Sequence, residues 1–118
     1  MSQLFTNPVT SALREFAMTL PETSEGASCV NRAFKVRNKN FLFVGERSDG
    51  ACKVMLKLGE SMDQATELVA KDSRFEVGSS GWTTVRFDMS ELPDTALLKQ
   101  WVSESYRLLA PKSLLKLL

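Results

Sequence analysis

Apolar residues recur along the chain with two different periods, and the switches between them divide it into elements. Val9, Ala12, Leu13, Phe16, Ala17 and Leu20 fall three and four apart, one stripe along a helix. Asn7 is placed to cap it, and Pro8 suits the first helical position, where an amide N–H has no partner to lose. Pro21 ends the run. The stretch 21–28, PETSEGAS, has no periodic apolar residue and reads as a polar connection. From Ala33 the period becomes two, with Phe34 and Val36 alternating with Lys35 and Arg37. Asn38-Lys39-Asn40 is the expected turn. FLFVG at 41–45 follows, apolar on both faces and therefore central. Ser48-Asp49-Gly50 is a hairpin signal. Beyond it, about 51–58, Val54 and Leu56 alternate with Lys53, Met55 and Lys57. These three strands make an antiparallel meander.

The second half returns to the helical period and then leaves it again. Ser61 and Gln64 have capping-box spacing, and Met62, Ala65, Leu68 and Val69 repeat helically to about Lys71. Phe75–Val77 is short enough for a minor strand. Trp82–Asp88 is a clearer one, with Thr83, Val85 and Phe87 on one face and Trp82, Thr84 and Arg86 on the other. Pro93 begins the last long helix, with Asp94 near its positive end. Its buried stripe is Leu97, Leu98, Trp101, Val102, Ser105, Leu108 and Leu109, and Pro111 breaks it before a terminal SLLKLL turn. The order α-βββ-α-ββ-α predicts an α+β fold, an antiparallel sheet with helices packed on one face, in a single domain over 1–118.

Composition narrows the chemistry. Fifteen basic and fourteen acidic residues leave a formal charge of +1, which excludes a strongly cationic nucleic-acid scavenger but permits local patches. Histidine is absent, and the two cysteines, Cys29 and Cys52, form no CxxC pair. Zinc sites of the Cys/His kind and Ser–His or Cys–His nucleophile activation therefore lack their side chains. The expectation is a binding protein and not an enzyme, with no cofactor. No stretch has the roughly 20 apolar residues that span a bilayer. The start MSQLFTNP lacks a charged region followed by an apolar core, so the expected location is cytoplasmic, with reduced thiols and no membrane partner.

Several stretches in this order resemble the MmcQ/YjbR family of small bacterial proteins: LREFAMTLPETSEG (13–26), AFKVRNKNFLFV (33–44), MLKL (55–58), GWTTVRFD (81–88) and LPDTALLKQWVSESYRLL (92–109). The shared features are a helix ending in Leu20-Pro21-Glu22, a strand pair around an Asn-Lys turn, a Trp-led strand, Leu92-Pro93-Asp94, and Ser105-Tyr106. The resemblance covers roughly 10–110. It implies a CyaY-like, double-wing α+β fold and a DNA-binding role inferred from that fold; it brings no catalytic residues. Where relatives carry polar, basic or histidine residues before the Trp, this chain has Gly78-Ser79-Ser80-Gly81.

That GSSG segment invites a phosphate-loop reading. Its glycines lead into a β-run and not a helix N-terminus, and neither GxGxxG nor the Walker A pattern is present, so a turn is expected. The candidate anion-binding residues lie on the strands instead. Lys35 with Arg37, Lys53 with Lys57, and Arg86 should share the sheet face opposite the helices, where Trp82 adds a stacking surface. The function expected is non-catalytic binding of DNA or another anionic partner through that face. The alternative is a protein-interaction or adaptor domain without nucleic-acid affinity, the charges merely solvating the sheet. Cys29 and Cys52 are expected to act as small apolar side chains, Glu22 and Glu25 as solvated loop residues, and Trp101 and Tyr106 as core.

Overall fold

The computed structural model describes residues 6–28 and 31–118, with the side chains of Ser28 and Ser79 left aside. In chain order the elements are α1 (Pro8–Met18), β1 (Thr23–Ser28), β2 (Asn31–Val36), β3 (Lys39–Glu46), β4 (Cys52–Lys57), α2 (Met62–Lys71), β5 (Phe75–Val77), β6 (Trp82–Phe87), α3 (Thr95–Leu109) and α4 (Lys112–Leu115). The strands form one antiparallel sheet in the order β1-β2-β3-β4-β6-β5. The α+β expectation holds, with one more strand before α2 than the pattern suggested. The extra strand is β1, which occupies most of the supposed connection. An edge strand has only one neighbour to satisfy, and this one is built from small polar residues that leave no apolar period to read.

Glu25 shows why such a strand is stable. It projects towards α1, its side chain 8% exposed, and meets Arg14 at 2.9 Å and Arg32 at 2.8 Å. Burial works against the charged carboxylate, yet the two guanidinium hydrogen bonds outweigh it and hold the pKa below its ordinary value. Glu25 is thus a paired structural residue and not a solvated one. Glu22, in the turn before β1, is exposed and bonded to Arg37, whose hydrogen bond lowers its pKa.

The helices pack on one side of the sheet. α1 lies against β1 and β3, α3 against β3 and β4, and α2 beside β5. Between them and the sheet lie Leu13, Phe34, Leu42, Val44, Val54, Leu56, Val85, Leu98, Trp101, Val102 and Tyr106, each almost wholly buried. Asn7 caps α1 as expected, its Oδ1 accepting from the Val9 N–H at 2.9 Å. The Ser61–Gln64 capping box does not form. Glu104 of α3 takes the Ser61 hydroxyl (2.6 Å) and also accepts from the N–H groups of Gly59 and Ser61, so a carboxylate from another element fastens the start of α2. At α3, Asp94 is itself the cap, accepting from the Ala96 N–H, and the helix begins at Thr95 and not at Pro93.

A bulge at Phe41 sets the geometry of the sheet centre. Phe34 pairs with Leu42 but Lys35 with Asn40, leaving Phe41 as the extra residue on β3. Phe41 and Leu42 are consequently both buried, and the Phe41 ring meets Tyr106 edge-on with centroids 5.4 Å apart. The ladder between β3 and β4 is registered from Leu42–Leu56 to Glu46–Cys52. Just past its end, Ser105 bridges the two strands: its hydroxyl donates to the Phe41 carbonyl (2.6 Å) and accepts from the Lys57 N–H (3.0 Å). Tyr106 completes the link to the other end of the chain by donating to the Pro21 carbonyl at 2.7 Å.

Candidate functional site on the open sheet face

Strand register decides which residues face away from the helices. Gly26, Ala33, Phe43, Met55, Thr84 and Glu76 form one row across all six strands. A second row contains Asn31, Gly45, Lys53 and Arg86; on the other side of the first, Lys57 stands opposite Trp82 and Lys35 opposite Asn40. Lys35, Lys53, Lys57, Trp82 and Arg86 therefore lie on the face turned away from the helices, as alternation predicts.

Arg37 does not join them. It and Asn38 are the two central residues of the β2–β3 hairpin, with φ of 49° and 69°, and Val36 pairs directly with Lys39. Two positive φ values are what a tight antiparallel hairpin requires, so the strand ends one residue before Arg37. Its guanidinium then turns to Glu22 across the turn. The sequence pattern continued the alternation through Arg37 because basic residues are compatible with either position.

Of the cations that remain, Lys35, Lys53 and Lys57 have no carboxylate partner among the described residues, whereas Arg86 is bonded to Glu76 on β5. Lys53 stands directly opposite Arg86, whose charge is balanced by Glu76. Between the lysines lies an aromatic platform that sequence reading missed. Phe43 on β3 and Trp82 on β6 bring their rings together across β4, centroids 6.0 Å apart and planes at 53°. Both rings and Met55 are half-buried. The signal was present in FLFVG: a strand apolar on both faces must expose one of them when only one face is packed.

The GSSG segment is a turn. Ser79–Gly81 makes a short 3-10 turn joining β5 to β6, with φ of 58° at Ser80 and 85° at Gly81. A Cβ on Gly81 would lie 2.4 Å from the Leu58 carbonyl oxygen, and the Gly81 carbonyl in turn accepts from the Leu58 N–H at 2.8 Å. The glycine is there so that the loop can press against the end of β4. Cys52 is buried, and burial together with the nearby Glu46 and Asp88 pushes its thiol pKa up to about 11, the reverse of a reactive thiolate. Cys29 lies outside the described residues. Among the described residues no group of three His, Cys, Asp or Glu side chains is arranged to hold a metal, and no helix is long and apolar enough to cross a membrane.

Among curated proteins none matches the chain. The family model named YjbR matches residues 18–108, well over half of it, from the last turn of α1 to the last turn of α3. The match takes in the whole sheet, the Phe43–Trp82 platform and the Ser105–Tyr106 pair. On that span the chain belongs to the YjbR family.

Proposed function

We propose that this protein binds single-stranded nucleic acid through the open face of its sheet and carries out no chemistry on it. The observation that carries the reading is the Phe43–Trp82 ring pair set among three lysines with no carboxylate partner among the described residues. Every base has a π-face, so such rings bind bases without regard to sequence, at roughly 1–3 kcal/mol per stacked base. Lys35, Lys53 and Lys57 supply phosphate contacts on either side. A sheet face offers no ridge for a duplex groove, which favours single strands over double.

Titration of a short DNA, single- and double-stranded, tests this by anisotropy and by Trp82 emission. Trp101 is buried against Phe75 and gives a constant background. Three phosphate contacts predict a log–log salt slope near −2 for a single strand, about a 20-fold loss of affinity from about 50 to about 200 mM salt. A Lys35→Glu/Lys53→Glu variant should bind far more weakly, and Phe43→Ala should lose the quenching. Absence of binding by the wild type at low salt would overturn the reading and leave the protein-interaction alternative.

A further inference from the structure

The two edges of the sheet are not alike. β5 is three residues long with α2 beside it, whereas β1 runs for six residues, TSEGAS, in unbroken register with β2. It has no lysine, proline or bulge to keep another strand away, and its one charge, Glu25, is spent on Arg14 and Arg32. The register shows which of its backbone groups are left over. Val36 closes the two-residue Arg37-Asn38 turn with Lys39, so its N–H and C=O are turned to β3. Bonding direction alternates along a strand, so Lys35 and Ala33 are turned to β1, where they meet Ser24 and Gly26. Thr23, Glu25 and Ala27 therefore point their N–H and C=O groups out of the sheet. Thr23 agrees with this, its N–H going to the Leu20 carbonyl at 3.3 Å. The outward backbone groups of Glu25 and Ala27 have no partner among the described residues. Gly26, between them, has no explanation inside its own chain. Its φ lies outside the left-handed region, and a Cβ built on it would meet no atom within 4 Å. Glycine weakens a strand interior, and where neither conformation nor crowding calls for it, it marks the close approach of another backbone.

We infer that β1 pairs with β1 of a second copy of this chain, antiparallel about a two-fold axis at Gly26. In that register Glu25 of each copy exchanges both backbone bonds with Ala27 of the other, and each of these outward donors meets an acceptor. The two Gly26 residues face each other at the axis. Each Glu25 side chain stands opposite a methyl group and not another carboxylate. Ala27 shares the helix-side face with Glu25 yet is exposed, so the helices leave this end of the strand uncovered. The strand is its own complement, and that selects a second copy over an unrelated strand. Pairing of this kind joins the two sheets into one, with both open faces on the same side. The two Phe43 residues then stand five strand spacings apart, roughly 24 Å, a span that one nucleic-acid strand bridges. That consequence rests on the nucleic-acid reading above; the pairing does not.

Sedimentation equilibrium of the full chain, without nucleic acid, tests the pairing. One strand edge is a small interface, so dimer should appear from roughly 100 µM upward. Amide exchange read by NMR locates it: Glu25 and Ala27 should gain protection as concentration rises, while Ser24 and Gly26, bonded to β2, stay protected throughout. Gly26→Lys sets like charges face to face at the axis and should weaken the dimer at least about tenfold. The open space around Gly26 means that the dilute variant should melt no lower than wild type. Ala27→Pro removes an outward N–H, spares the bonds between β1 and β2, and should weaken the dimer as well. A wild type that stays monomeric to about 1 mM overturns the pairing. So does a dimer that neither substitution weakens and that lacks the alternating protection. Neither result touches the open-face reading, which is tested by nucleic-acid titration of the dilute protein.

Discussion

Replacing Ser105 by alanine removes a single oxygen atom, and the consequence follows from what that atom joins. The β3–β4 ladder stops at Leu42–Leu56, and at the next position the Phe41 carbonyl and the Lys57 N–H are both bonded to the Ser105 hydroxyl. The Ser105 hydroxyl, on a fully buried side chain, serves both at 2.6 and 3.0 Å. Without it a donor and an acceptor are stranded, each at about 1–3 kcal/mol. Partial repair by an entering water brings the expected total for Ser105→Ala to about 2–4 kcal/mol. A chain of 118 residues unfolds with about 2.1 cal/mol/K per residue, so each kcal/mol moves Tm by about 4 °C and the variant should melt about 8–16 °C lower. Urea denaturation measures the free energy, and native-state hydrogen exchange reads the Lys57 amide, which should lose protection beyond what lower global stability explains. Ser103→Ala, half-exposed on the same helix, controls for the change in helix propensity. If Ser105→Ala matched Ser103→Ala within about 0.5 kcal/mol and Lys57 stayed protected, the bridging account would be wrong.

Gly81→Ala should also destabilise, by about 2–4 kcal/mol, through its positive φ and the 2.4 Å approach to Leu58; Gly50→Ala, with positive φ but open space around it, should cost less in the same melt. Glu25 has a folded pKa below its ordinary 4.5, so the stability it contributes is present above the unfolded value and lost as pH falls through the folded one. Wild type should therefore lose its advantage over Glu25→Gln on acidification, and a gap in Tm that stayed constant down to about pH 2 would contradict the pairing. In a Cys29→Ser background, Cys52 should resist maleimide at neutral pH until denaturant is added, because its thiol is buried with a pKa of about 11; labelling of the native protein at the rate of a free thiol would refute this.

Helices and central strands were legible because burial on one side writes a period into the sequence. Val54, Leu56, Val85 and Phe87 all face where alternation placed them. β1 was illegible for the opposite reason: its one large inward residue is a carboxylate, made acceptable by two arginines distant in sequence. Likewise Ser61 reads locally as a partner for Gln64, but Glu104 arrives from a later helix and takes it. The candidate site was read in part. Alternation placed the lysines, Arg86 and Trp82 correctly, while Arg37 was misplaced because backbone φ in a hairpin leaves no trace in side-chain chemistry. Phe43 was missed as a surface residue because an apolar side chain in a central strand reads first as core.

The strand order divides the proposed binding face between two parts of the chain. Lys35, Phe43, Lys53, Met55 and Lys57 belong to the early meander, and Trp82, Thr84 and Arg86 to a later hairpin that joins it along β4–β6 alone. A strand stacked on both Phe43 and Trp82 would lie across that seam and act as a clasp. Binding would then be inseparable from the cohesion of the sheet: ligand should slow exchange of the β4–β6 amides more than those of β1–β2, and whatever loosens the seam should release the ligand without altering any residue that touches it.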